Sequence, residues 1–232
     1  MSGPPNRSLL ARVLEPEAMD SLAEARDYDT MDHGEVNRRF VADFLAAQRQ
    51  AGVADDVDAL DLGTGTAQIP IELCAQNPHA SVVAIDLAES MLRLGRENIA
   101  RRGLDQRIAL VRVDAKRLPY AVGHFAAVIS NSIVHHIPQP REALAEALRV
   151  LRKSGGLIFV RDLARPLDDA HVRHLVGTYA AGSNDQQRHL FEASLRAALS
   201  LEEIRDLVRQ LGFDPANVQA TSDRHWTWSA RT

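Results

Sequence analysis

The sequence predicts an α/β fold: a doubly wound, largely parallel sheet that ends in an antiparallel pair of strands. Three observations carry that prediction. Short apolar runs alternate with helix-length segments from Val57 to Asp162, as strands joined by crossover helices do. The first run leads into Leu60-Asp61-Leu62-Gly63-Thr64-Gly65-Thr66-Ala67, whose two glycines can turn a strand sharply into a helix. Two late runs, Asn217–Ser222 and His225–Ser229, follow one another with no crossover segment between them.

Residues Met1 to about Asn6 are rich in Gly and Pro and are expected to fray. Leu9, Leu10, Val13, Leu14, Met19 and Leu22 predict two short helices broken at Pro16. Val36, Phe40, Val41, Phe44 and Leu45 share one face of a helix over 35–50, stopped by Gly52. Strands are then expected at 57–62, 82–86, 108–113, 125–131 and 157–162. The helices between them are expected at 67–76, 89–102, closed by Gly103, and 141–152. Residues 167–200 form a polar helical insertion carrying His171, His174, Tyr179 and His189. A helix from Leu201 to Leu211 precedes the final pair of strands. In that pair Trp226 and Trp228 fall on one face, suited to the core, which leaves His225 or Arg224 to face the crevice.

At 232 residues the chain suits one domain with decorations, and 45% hydrophobic with 25% charged residues allows a packed core. A net charge of −4 weighs against a dedicated nucleic-acid binder, without excluding a local basic patch. Arg38, Arg39 and Arg49, or Arg101, Arg102 and Arg107, would make such a patch unless they are solvated helix faces. The lone cysteine, Cys74, excludes a disulfide framework and reads as a core residue. No signal-type segment and no apolar run of transmembrane length is present, so a soluble, cytoplasmic protein with no membrane insertion is expected.

The glycine turn sets the ligand question. A dinucleotide fingerprint requires Gly or Ala at position 68, where Gln68 stands, and has no acid two residues before its first glycine. The segment resembles motif I of the class I S-adenosylmethionine (SAM)-dependent methyltransferases, (D/E)-x-G-x-G-x-G, with Ala67 in place of the last glycine. That resemblance implies a Rossmann-like, seven-stranded doubly wound sheet with a C-terminal antiparallel hairpin and helices on both faces. It implies a single methyltransferase domain over 1–232, with a helical cap over 1–50 and the 167–200 insertion forming part of a lid.

The resemblance further implies SAM as cofactor, Gly63 and Gly65 passing its amino-acid part and Asp61 reaching its amino group. Asp86, at the end of the second strand, is placed at the ribose hydroxyls, with Leu87 and Met91 flanking adenine. Asp114 and Ala115 are placed at the adenine edge, Asn131 beside the cofactor and Tyr28 covering it. Read without the resemblance, Asp86 is a helix N-terminal acid and Asp114 an Asx turn.

Methyl transfer requires an oriented acceptor and sometimes a base, and no metal is implied. The string Ser130-Asn131-Ser132-Ile133-Val134-His135-His136-Ile137-Pro138 lacks the (N/D)-P-P-(Y/F/W) pattern of amide and amine methyltransferases. It looks instead like small-molecule enzymes of the ubiquinone/menaquinone methyltransferase-like group. His135 and His136 are the catalytic candidates, or else one of them packs the next helix. Arg161, Asp162 and His225 are candidates for holding the acceptor, the first two alternatively forming a loop ion pair. The partner implied is a small polar or aromatic acceptor. A tRNA or protein methyltransferase and a non-catalytic SAM-binding protein are the rivals, and the oligomeric state, a homodimer included, stays open.

Overall fold

The computed structural model describes residues 10–15, 21–30 and 34–232. The segment expected to fray, Pro16 and Met19 lie outside the described residues. One correction falls here: residues 10–15 carry no helix. They run instead as a strap, with the Val13 N–H donating to the Arg196 carbonyl at 3.1 Å. Arg12 reaches the carbonyls of His135, Ile137 and Ala197 at 3.2, 3.1 and 2.6 Å. Those tertiary bonds replace the internal ones a helix would have made.

The sheet has seven strands in the order β3-β2-β1-β4-β5-β7-β6. Their ranges are β1 Asp58–Leu62, β2 Ser81–Asp86, β3 Ile108–Arg112, β4 Ala127–Asn131, β5 Leu157–Leu163, β6 Val218–Ala220 and β7 His225–Arg231. The first five are mutually parallel, while β7 runs antiparallel to both β5 and β6. The expected strands are therefore all present, four of them one to three residues shorter and three of them one or two residues longer than expected, the usual scatter at element ends.

Strand alternation sends residues to two cores. Leu60, Leu62, Val128, Ile158 and Val160 join Trp226 and Trp228 on one face. That face is covered by the helices α5 (Pro140–Val150) and α8 (Leu201–Gln210). Ala59, Ala127, Ile129, Leu157 and Phe159 face the other way, under α2 (Gly34–Ala51) and α3 (Gln68–Gln76). Phe40 and Phe44 of α2 meet Phe159 edge to face at 5.3 and 5.8 Å. Cys74 is buried in this second core.

The insertion forms two helices, α6 (Asp169–Tyr179) and α7 (Asp185–Ala197). They close on Leu163 and Leu10 through Val172, Leu175 and Leu195, so the strap and the insertion share one small core. The remaining helices are α1 (Leu22–Asp29) and α4 (Glu89–Arg102), which meet through Ala25, Met91 and Leu94. No helix among the described residues is long and apolar enough to cross a membrane.

Candidate active site

The sheet order reverses at β1, where β2 and β3 leave on one side and β4 on the other. Ligand crevices in doubly wound sheets open beyond the carboxyl ends of the strands at that reversal. An open cleft of about 800 Å³ lies there, lined by Gly63, Gly65, Asp86, Asp114, Asn131 and His136 among others.

At its base the chain leaves β1 through Gly63 and Gly65, at φ 70° and 53°. Ala67 repeats the left-handed conformation at φ 64°, which explains why the resembling motif carries glycine there. A Cβ on Gly63 would fall within 2.8 Å of three side-chain carbons of Ile133, so that glycine is imposed by packing. Ile133 follows Ser132, itself at φ 59°, whose N–H donates to the Arg161 carbonyl at 2.9 Å. A Cβ on Gly65 would meet nothing nearer than Tyr28 at 3.7 Å among the described residues.

Asp86 anchors the turn. One carboxylate oxygen accepts the Gly65 N–H at 2.8 Å and the other accepts the Ala88 N–H at 2.9 Å. Its place as the clasp between glycine turn and second strand was not legible from sequence, which suggested only a ligand contact or a helix-terminal acid. Leu87 and Met91 line the cleft beside it, with Asp114 and Ala115 on the next wall. Asp114 also accepts the Lys116 main-chain N–H at 2.9 Å.

A smaller pocket continues from the cleft, lined by Tyr28, Asn37, Asp61, Thr66, Gln68 and Asn131 among others. Asp61 is 1% exposed, and its Oδ2 has no hydrogen-bond partner among the described residues; nor has the hydroxyl of Thr66. Burial pushes the Asp61 carboxyl up to about 7, with the Thr64 hydroxyl holding it down and Asp86 pushing it further up. A buried carboxylate in that condition seeks a cation with N–H donors. An α-amino acid ammonium group supplies both, so the residues present fit the amino-acid end of SAM.

The other end of the cleft holds Ile133, His136 and Ile137. His135 lies behind the lining and is buried, its ring 4.2 Å from that of His136, its Nδ1 2.6 Å from Asp162 Oδ1 and its main-chain N–H donating to Asp162 Oδ2 at 3.0 Å. Burial works against charge on both partners, but each holds the other ionised: His135 is raised and Asp162 lowered from their ordinary values. Glu15, from the strap, approaches both imidazoles, 3.9 Å from His135 Nε2 and 3.4 Å from His136 Nδ1. No sequence signal marks Glu15, one acid among 31 in a segment expected to be helical.

The three residues expected on the acceptor side, Arg161, Asp162 and His225, are not among the cleft-lining residues and have other partners. Arg161 bonds Asp43 at 2.7 Å and Thr227 at 2.8 Å, stacked near Phe40 and Phe159, rather than facing the cleft. Asp162 is committed to His135. His225 lies outside the cleft lining and bonds Ser222 at 2.9 Å, and burial and then Arg224 push its imidazole down to about 4. Trp226 and Trp228 are fully buried.

Residues 59–155 match the model of the methyltransferase domain family. The demethylmenaquinone methyltransferase of Porphyromonas gingivalis is 29% identical over 174 residues, 70% of each chain. The ubiquinone/menaquinone biosynthesis C-methyltransferase UbiE of Dinoroseobacter shibae is 31% identical, over 67% of this chain and 65% of its own. A SAM-dependent methyltransferase from Aquifex aeolicus shares the fold at a TM-score of 0.63 and 14% identity, covering 91% of this chain and 98% of that one. Fold, site and these matches together make the chain a SAM-dependent methyltransferase, with SAM as its cofactor.

Proposed function

We propose that this methyltransferase acts on a small hydroxylated aromatic metabolite, bound at the His136 end of the cleft. The observation that carries the reading is the continuity of that cleft, from the glycine turn past Asp86 and Asp114 to Ile133, His136 and Ile137. Asp61 takes the amino group of SAM, Gly63 and Gly65 pass its amino-acid part, and Asp86 faces the ribose. Leu87 and Met91 flank the adenine, Asp114 and Ala115 meet its edge, and Tyr28 and Asn131 close over the join between the two pockets.

SAM, once bound, supplies a methyl group on an already activated sulfonium. The protein's share is to hold the acceptor in line and keep water out. Ile133 and Ile137 give that end apolar walls suited to a ring, and His136 gives it one polar group to orient a hydroxyl. The relatives' names, demethylmenaquinone and ubiquinone/menaquinone biosynthesis, point to acceptors of the same chemical class. The strap at 10–15, α1 with Tyr28, and α6–α7 form the lid.

Nucleic acid is a poorer fit. Three arginine donors of the strongest basic candidate end on main-chain carbonyls: Arg107 reaches those of Cys74, Asn77 and Ala80. Arg101 bonds Asn98 and Arg38 pairs with Glu35. Labelled methyl transfer from SAM to a panel of hydroxylated benzene and naphthalene derivatives, run beside tRNA and protein, tests the reading. Label is expected in a ring-bearing small molecule; label confined to tRNA or protein overturns it.

A further inference from the structure

Glu15, His135 and His136 offer three metal-ligating atoms that all lie within 4.8 Å of one another. They come from two places in the chain about 120 residues apart, brought together when the Arg12 strap closes on the loop after β4. Two further features resemble a built site. The Glu15 carboxylate is drawn into the interior, 10% exposed, and also accepts from the Ser194 hydroxyl at 3.2 Å. His135, 3% exposed, presents Nε2 to Glu15 while Nδ1 is held by Asp162 at 2.6 Å. A carboxylate on the far nitrogen of a ligating imidazole is the usual outer support of a protein metal centre, fixing the tautomer and the ring.

We infer that Glu15, His135 and His136 bind a divalent transition-metal ion of the zinc class at the acceptor end of the cleft. Donors about 2.1 Å from a tetrahedral ion stand about 3.4 Å apart. The Glu15 oxygen lies 3.4 and 3.9 Å from the two nitrogens, close to that spacing, and the three donor atoms all lie within 4.8 Å of one another, so binding draws the two imidazoles in around the ion. Two imidazoles with one carboxylate select zinc, cobalt, nickel or iron over magnesium or calcium, which take oxygen donors. Three protein ligands leave a position open, as in reactive rather than purely structural zinc sites. Because His136 lines the cleft, that position opens toward the acceptor, where a hydroxyl oxygen or a water completes the coordination. This last step rests on the methyltransferase reading; the metal site itself does not. The site runs against the sequence-based expectation that no metal is involved.

Cobalt(II) is the probe, titrated into chelator-treated full chain in the absence of SAM and followed by visible absorption. One saturable equivalent with the bands of a four- or five-coordinate nitrogen–oxygen site is expected, displaced by zinc. Glu15→Gln and His136→Asn should each weaken binding at least tenfold, and Asp162→Asn by about 10–100-fold through loss of outer support. Thermal unfolding of each variant in chelator shows whether it has folded. Wild-type protein that takes up no stoichiometric cobalt or zinc overturns the inference, as does uptake that Glu15→Gln and His136→Asn leave unchanged. S-adenosylhomocysteine binding by the same metal-free protein is measured alongside, so failure of the metal site and failure of the methyltransferase reading are told apart.

Discussion

Asp61 sits where a carboxylate is least comfortable, and its discomfort has a measurable sign. Its folded-state pKa of about 7 stands above the ordinary 3.8, so between about pH 4 and 7 the folded chain holds a proton that the unfolded chain has released. The stability this contributes is complete below pH 4 and is lost as pH rises to 7, by up to about 1.4 kcal/mol per pH unit. Asp61→Asn should therefore be relatively more stable than wild type at pH 7.5 than at pH 4, as urea unfolding of both proteins at the two pH values will show. The same substitution should weaken S-adenosylhomocysteine binding at least tenfold by titration calorimetry. An Asp61→Asn variant that binds as tightly as wild type removes Asp61 from the cofactor site.

The two glycines of the turn separate packing from ligand access in the same way. Gly63→Ala must move Ile133 and hold alanine at φ 70°, an expected loss of roughly 2–4 kcal/mol in unfolding free energy. Gly65→Ala has space for its methyl and carries only the strain of φ 53°, roughly 1–2 kcal/mol. Denaturant unfolding of the two variants should keep that order.

Among the elements, β7 joins the hairpin to the parallel sheet: it pairs with β5 over seven residues and is the partner of β6. Trp228 is fully buried on it and meets Phe213 edge to face at 5.6 Å. Trp228→Ala should cost about 3–5 kcal/mol, read from the shift of the unfolding midpoint. These strands were legible because Trp226 and Trp228 alternate with polar Thr227, and the central strands β1, β4 and β5 because their runs are buried on both faces. The strap was not. Leu10, Val13 and Leu14 are spaced as a helix would space them, but the segment's hydrogen bonds go to Arg196, Ala197, His135 and Ile137, which no local pattern reveals. Glu15 was hidden for the same reason, and with it the cluster around the two histidines. Arg161 and Asp162 were correctly placed at the end of β5, yet their partners Asp43 and His135 lie at long range, so their commitment elsewhere could not be read.

At the level of the whole molecule, cofactor binding is a stability term. Ligand at 100 times its dissociation constant adds about 2.7 kcal/mol, which for a chain of this length is roughly 5–10 °C in Tm. S-adenosylhomocysteine should produce a shift of that size at pH 7.5 and a smaller one at pH 5.5, where the Asp61 carboxyl must first give up its proton. Equal shifts at both values would detach the pH dependence from Asp61.

The contact of Ile133 on Gly63 has a mechanical consequence for the enzyme as a ruler. The segment after β1 carries the donor side and the segment after β4 carries His135 and His136, and between them no slack remains. The two segments pack there with no room for a methyl group between them, so a shift of one presses on the other and the spacing between the two ends of the cleft is tied to one isoleucine side chain. Under the proposed function, adaptation to a larger or smaller acceptor then falls to the lid of strap and helical insertion, neither of which takes part in the contact between Ile133 and Gly63.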